Sequence, residues 1–248
     1  MSIRRISLTV LAAAVLAAAD LPARPAAADK IATDPFIGAI VVDASTGDVL
    51  RETNSRKVAY PASMVTLMDA YLVLEAVQNG RIRLDELVRV TPEASKIGGS
   101  QVWLDPKESF TVDQLMYALM IRSANDAAVL LASYIEGSVP AFVAAMNAKA
   151  RELGLSPVTR FVSPHGLPVK TGTPDITTPA DMAKLCVALL RDHPEVLRYT
   201  SVPRYNFRPT PHSVQTETIL DNTNPLLASM PGECDGLKTG YYADAGFS

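Results

Sequence analysis

The sequence predicts an α+β fold, in which an antiparallel sheet is built from both ends of the chain and a block of helices is inserted between them. Strand-like patterns occur in residues 36–50 and again in residues 204–248, whereas helical periodicity dominates the middle. With 248 residues, of which 48% are apolar and 20% are charged, the chain is long enough to bury a substantial core.

Residues 1–28 have the pattern of a secretory signal peptide. A positively charged start at Arg4 precedes the apolar run 6–19, and the small residues 26–28 offer a cleavage site. The apolar run is shorter than the roughly 20 residues that span a bilayer. We therefore expect export to the periplasm or cell-wall space, with residues 29–248 as the mature domain.

A β-hairpin and five helices are predicted next. In the hairpin, the apolar runs 36–42 and 49–50 flank a polar turn that contains Gly47. Apolar residues then recur with helical spacing, which predicts helices over residues 63–77, 112–121, 126–135, 139–153 and 179–190. Ser63 is thereby placed at the start of a buried helix, and residues 123–125 form a break where polar side chains can point into a cleft.

The charge pattern bears on possible partners. The formal charge of -3 comes from 26 acidic and 23 basic side chains that are mixed along the sequence. Because no basic block is present that could neutralise a row of phosphates, nucleic acid is not an expected partner.

Three groups of polar residues could act together on a peptide. A serine at a helix start, such as Ser63, can be a nucleophile, because local N–H groups favour the negative charge that develops on an attacked carbonyl oxygen. Serine is also a common helix cap, so Ser63 alone decides nothing. Ser123 and Asn125 add a second hydroxyl and an amide, and Lys238-Thr239-Gly240 adds a lysine that can hold a carboxylate.

Four segments that include these groups carry a family resemblance: residues 60–64, 119–128, 221–227 and 235–240. They are similar to the low-molecular-mass penicillin-binding proteins that act as D-alanyl-D-alanine carboxypeptidases, which are serine peptidases of the penicillin-recognising type. The resemblance covers about residues 36–246. It implies a β-lactamase/transpeptidase-like fold.

The resemblance also implies a mechanism. Ser63 would attack the carbonyl of the penultimate D-alanine of a peptidoglycan stem peptide, release the last D-alanine and form an acyl-enzyme that water hydrolyses. Backbone N–H groups of Ser63 and Tyr241 would form the oxyanion hole, and β-lactams are further expected ligands. No metal or organic cofactor is implied. The resemblance assigns Ser123 to catalysis and assigns substrate binding to Asn125, Lys238, Thr239, Gly240 and Tyr241.

The sequence departs from the family at the residue that should be the base. The family pattern Ser-Met-Thr-Lys-Leu-Met-Thr is Ser-Met-Val-Thr-Leu-Met-Asp from Ser63 to Asp69, so Thr66 takes the place of lysine. Residues three apart share a helix face, and the lysine amine would have lain beside Ser63. Threonine is a very poor base, so we expect slow or absent acylation, unless Lys238 substitutes through Ser123. Asp69, about 240° from Ser63 around an α-helix, is expected to face away.

A second departure is that eight residues follow Gly240, where the family continues with further strands and often a small domain and a membrane anchor. We expect a domain that is incomplete at its C-terminus, as a fragment or a decaying copy, with membrane association only through a missing anchor.

Several functional hypotheses stay open. The first is an impaired serine D-Ala-D-Ala carboxypeptidase, and the second is a non-catalytic module that binds peptidoglycan peptides or regulates active relatives. A β-lactamase would need a downstream acidic residue in a Glu-x-x-x-Asn setting, which the sequence lacks. A non-functional remnant is the last.

Overall fold

The computed structural model describes residues 36–168, 172–208 and 219–247. The predicted signal peptide, residues 1–28, lies outside them. The α-helices are α1 (Thr66–Gln78), α2 (Val112–Ile121), α3 (Asn125–Glu136), α4 (Val139–Glu152), α5 (Pro179–Asp192), α6 (Leu197–Thr200) and α7 (Leu226–Ser229). The strands are β1 (Ala39–Val42), β2 (Val49–Thr53), β3 (Leu87–Arg89), β4 (Ser109–Thr111), β5 (Arg204–Asn206), β6 (Ile219–Asp221), β7 (Tyr241–Tyr242) and β8 (Gly246–Phe247).

All five predicted helices are confirmed, and local signals explain their ends. At the start of α2, Thr111 and Gln114 form a capping box, in which each side chain accepts the other residue's backbone N–H, at 3.1 and 2.9 Å. Ser138 caps α4, and Gly137, with φ of 78°, ends α3 in the left-handed conformation.

The core forms where α1, α2 and α3 pack against one another, with α4 and α5 outside them. Most residues of α1 and α3 are buried, so neither helix shows a polar face. Among the described residues, no single helix has the length and composition to cross a membrane; α3 and α4 pass that test only together, and they are bent by 84°. The arrangement brings the start of α1 near the turn between α2 and α3.

The α+β class is confirmed, but the strands pair locally. The described strands form four antiparallel sheets of two strands each, β1–β2, β3–β4, β5–β6 and β7–β8. The expected continuous sheet from both termini is thus not formed by backbone hydrogen bonds in the described part of the chain, where β7 pairs only with β8. β7 instead packs beside the 3-10 helix Ala62–Val65, and this contact positions the site.

Candidate active site

Ser63 lies in a tight backbone turn, and glycines from two distant segments of the chain approach that turn closely. The 3-10 helix Ala62–Val65 contains it, and Ala62 has φ of 47°. A Cβ on Gly166 would overlap the carbonyl oxygen of Ala62, and a Cβ on Gly240 would lie 2.8 Å from the carbonyl oxygen of Pro61. Only glycine permits both approaches, so segments far apart in the sequence clamp the Ser63 turn.

Thr66 occupies the position beside Ser63, and its hydroxyl is already engaged. The 3-10 geometry brings residues 63 and 66 into line, because that helix has three residues per turn. The Thr66 side chain is buried and donates from Oγ1 to the carbonyl oxygen of Ser63 at 2.8 Å. Within the described residues, no side chain hydrogen bonds to Ser63 Oγ. The serine therefore has no base at hydrogen-bonding distance.

Asp69 lies in the buried first part of α1. Because the chain is 3-10 as far as residue 65, the smaller angle between Ser63 and Asp69 falls from about 120°, the equivalent of the expected 240°, to about 60°. Asp69 is fully buried, and neither carboxylate oxygen has a hydrogen-bond partner. Burial, with the charge of Asp175, holds the pKa of Asp69 well above its ordinary value. A buried carboxyl group without a described partner thus lies about one turn along α1 from Thr66.

The turn between α2 and α3 presents the second group. Ser123 has φ of 60°, and its buried hydroxyl has no partner in the described structure. Asn125 donates from Nδ2 to the carbonyl oxygen of Gly98 at 2.8 Å, while its Oδ1 is buried without a partner there. A Cβ on Gly99 would meet both Asn125 and Leu167, so this turn is joined through Leu167 to Gly166 and the Ser63 turn.

The third group lies in the segment just before β7. Lys238 is 9% exposed, and burial lowers the pKa of its amine to about 7. Its Nζ donates to the carbonyl oxygen of Thr239 at 2.6 Å, and no described carboxylate pairs with it. The hydroxyls of Thr239 and Thr223 lie 2.7 Å apart, and Thr223 N–H donates to Ile121 O at 3.1 Å, which ties the segment to the end of α2. Tyr241 is 58% exposed.

Contacts therefore link all three predicted groups, partly through residues that the sequence analysis had noted, namely Gly240 and Thr223. Gly99 was not singled out, because it acts only through a tertiary contact and its sole local signal is the glycine pair 98–99. A groove of about 700 Å³ between β1–β2 and α5 contains none of the predicted site residues. Among the described residues, no three His, Cys, Asp or Glu side chains cluster as metal ligands would.

Comparisons with known proteins agree on one family. The family model described as D-alanyl-D-alanine carboxypeptidase matches residues 24–248. The chain is 37% identical over 207 residues to the D-alanyl-D-alanine carboxypeptidase DacF of Bacillus subtilis, covering 84% of this chain and 51% of that protein. It is 32% identical over 231 residues to DacC of Escherichia coli, covering 90% and 55%. The chain thus spans about half the length of these curated relatives.

Solved structures show the same likeness. Penicillin-binding protein D2 from Listeria monocytogenes, in its ampicillin-bound form, has a TM-score of 0.74 and 35% identity, with 86% of this chain and 81% of that chain covered. Penicillin-binding protein 5 from Haemophilus influenzae has a TM-score of 0.76 and 30% identity, with 86% and 59% covered. The likeness to penicillin-binding and transpeptidase-like folds is therefore high.

Proposed function

Because this chain belongs to the D-alanyl-D-alanine carboxypeptidase family, we propose that it is a serine-type hydrolase of peptidoglycan stem peptides, impaired by the absence of a base at residue 66. Ser63 attacks the carbonyl of the penultimate D-alanine, and the last D-alanine leaves with the proton that Ser63 gives up. Water then hydrolyses the ester. β-Lactams, which the Listeria relative binds, acylate the same serine.

One observation carries this proposal: close contacts link the segments that hold the three predicted groups. Gly240 contacts the turn that holds Ser63, and Asn125 reaches that turn through Gly99 and Leu167. These segments contain unpaired polar atoms, namely Ser123 Oγ and Asn125 Oδ1, which are buried without partners in the described structure. Buried polar atoms left unpaired cost free energy, so a bound peptide that pairs them gains affinity.

The chemistry divides among the groups as follows. Lys238 binds the terminal carboxylate when the lysine amine is protonated, and Asn125 holds the peptide backbone. Lys238 is also the amine available to accept the Ser63 proton by way of Ser123, because its pKa of about 7 leaves a large neutral fraction at neutral pH. One amine cannot hold a carboxylate and accept a proton equally well, so turnover is slow.

The test is covalent labelling of Ser63. Incubation with a β-lactam is expected to add the mass of one acyl group slowly to the natural chain and none to Ser63→Ala, and D-alanine release from a pentapeptide is expected to follow the same order. The control is thermal unfolding, which should show both proteins folded. Acylation or release that is equal in the two proteins would exclude Ser63 as the nucleophile.

A second candidate function is non-catalytic peptide binding, and the engaged hydroxyl of Thr66 favours it. Because Thr66 Oγ1 is bonded to the Ser63 carbonyl, Thr66 does not contact the serine hydroxyl, and no other described side chain hydrogen bonds to Ser63 Oγ. Reversible binding of a pentapeptide without any acyl adduct would support this function over slow hydrolysis.

The affinity for peptides is expected to fall as the pH rises. Burial lowers the pKa of Lys238 to about 7, so the amine is charged below that pH and loses its charge above it. A bound carboxylate favours the charged form, so the association constant should fall about tenfold per pH unit well above 7. Calorimetry at pH 6, 7 and 8.5 measures this. Lys238→Arg, which stays charged throughout, is the matched control and should show little dependence.

We also propose that the protein acts outside the cytoplasm, in the periplasm or cell-wall space where its substrate lies. The support is the leader-like pattern of residues 1–28. Fusion of these residues to a reporter that matures only after export tests the proposal, since a reporter that stays inactive would contradict it.

A further inference from the structure

An exposed tryptophan lies in a loop that the Ser123–Asn125 turn holds. Trp103 is the only tryptophan in the sequence, and 53% of its surface is exposed, whereas its neighbours Val102 and Leu104 are buried. The loop before it is tied to the same turn, because Asn125 N–H donates to Ser100 O at 2.8 Å and Ser100 Oγ donates to Arg122 O at 2.7 Å. Trp103 is therefore three residues from the point where its loop is tied to the Ser123–Asn125 turn.

Two buried charges fix the backbone on both sides of this tryptophan. The carboxylate of Asp126 accepts the N–H groups of Val102 and Leu104, at 3.2 and 3.0 Å. Arg208 donates to the carbonyl oxygens of Val102 and Trp103, at 2.8 and 3.1 Å. Asp126 and Arg208 are both buried, so the hydrogen bonds are shielded from water. The loop is built to hold one conformation.

The backbone of Trp103 is strained, and two residues of the candidate active site show the same kind of strain. Trp103 has φ of 57°, in the left-handed region that side chains other than glycine rarely adopt. Ala62, which precedes Ser63, and Ser123 have φ of 47° and 60°. Such strain persists where the surroundings enforce it, and it concentrates at ligand sites. Among the described residues, the half-exposed ring has no aromatic partner that would explain this cost.

We propose that Trp103 is a specificity-determining residue, whose ring packs against a long aliphatic side chain on the peptide residue that precedes the two D-alanines. An indole face buries a methylene chain efficiently, and it loses little entropy because the loop is already fixed. Since this names one contact of the same peptide site, it rests on the proposed function.

The test compares two peptides that differ only in that side chain. Diacetyl-L-lysyl-D-Ala-D-Ala carries a long aliphatic chain, and acetyl-L-alanyl-D-Ala-D-Ala carries a methyl group. The natural chain is expected to bind the first about five- to tenfold more tightly. In Trp103→Ala the preference should disappear through weaker binding of the lysyl peptide alone, and in Trp103→Phe most of it should remain.

Tryptophan fluorescence gives a second readout that needs no variant. Because Trp103 is the only tryptophan, the lysyl peptide should shift its emission to shorter wavelength, and the alanyl peptide should shift it less. A preference that persists in Trp103→Ala, or emission unaffected by a peptide that binds, would overturn this inference alone. If neither peptide binds the natural chain, the proposed function fails and the inference fails with it.

Discussion

The double variant Thr66→Lys/Asp69→Thr is expected to release D-alanine from a pentapeptide about 10²- to 10⁴-fold faster than the natural chain. A lysine at residue 66 would place an amine beside Ser63, since the 3-10 helix Ala62–Val65 brings residues 63 and 66 into line. General base assistance of this kind accounts for the expected gain. The measurement is the rate of D-alanine release under saturating peptide.

The second substitution is needed because Asp69 would capture the new amine. Residues 66 and 69 are three apart on one helix face, and Asp69 is a fully buried acid without a partner in the described structure. A carboxylate at that place would hold the lysine in its charged form, which cannot accept a proton. Thr66→Lys alone is therefore expected to gain much less rate than the double variant. Equal rates in the two would contradict this role of Asp69.

Asp69→Thr alone is the matched control, and it should change stability rather than activity. Burial raises the pKa of Asp69 well above its ordinary value, so folding at neutral pH requires either a buried charge or an added proton. This penalty is present above the ordinary pKa and fades as the pH falls towards about 4. The variant should therefore have a higher melting temperature at pH 7, and the difference should narrow on acidification.

The sequence predicted the helices well and the geometry around the nucleophile less well, for a physical reason. Helical periodicity and caps are local, so the bounds of α2 follow from its apolar spacing and from Thr111. The change from 3-10 to α geometry at Thr66 is imposed from outside, by Gly166 and Gly240, which press on the Ser63 turn. An angle calculated for a regular α-helix therefore overstates the separation between Ser63 and Asp69.

The residues of the candidate site also divide into those with a local sequence signal and those that matter only through tertiary contacts. Ser63, Asn125 and Lys238 stand in short motifs that can be found without a structure. A residue that joins them, such as Gly99, has no motif, because it matters only for one contact with a distant segment. Family membership and the choice of nucleophile thus came from sequence, whereas the buried acid beneath Thr66 needed the fold.

Gly166→Ala is expected to disrupt the turn that contains Ser63. Gly154→Ala is the control that separates conformational strain from steric overlap. Both glycines have nearly the same left-handed φ, 70° and 69°, so alanine costs about 1–2 kcal/mol of conformational strain at each. Only at Gly166 would the new Cβ overlap the carbonyl oxygen of Ala62, whereas nothing lies within 4 Å at Gly154. The difference between the two variants therefore isolates the clash.

The effect on activity is best measured in the Thr66→Lys/Asp69→Thr background, whose expected rate is high enough for a decrease to be detected. There Gly166→Ala should lower the rate of D-alanine release about 100-fold or more, because a shift of about 1 Å in a reacting group is enough for that loss. It should also reduce the free energy of unfolding by about 1–3 kcal/mol beyond the loss in Gly154→Ala, since backbone atoms must move. Gly154→Ala should keep nearly the full rate. If both variants lose the same rate and the same stability, the Ser63 turn is not held by Gly166, and the close approach of these two segments has no part in positioning the serine.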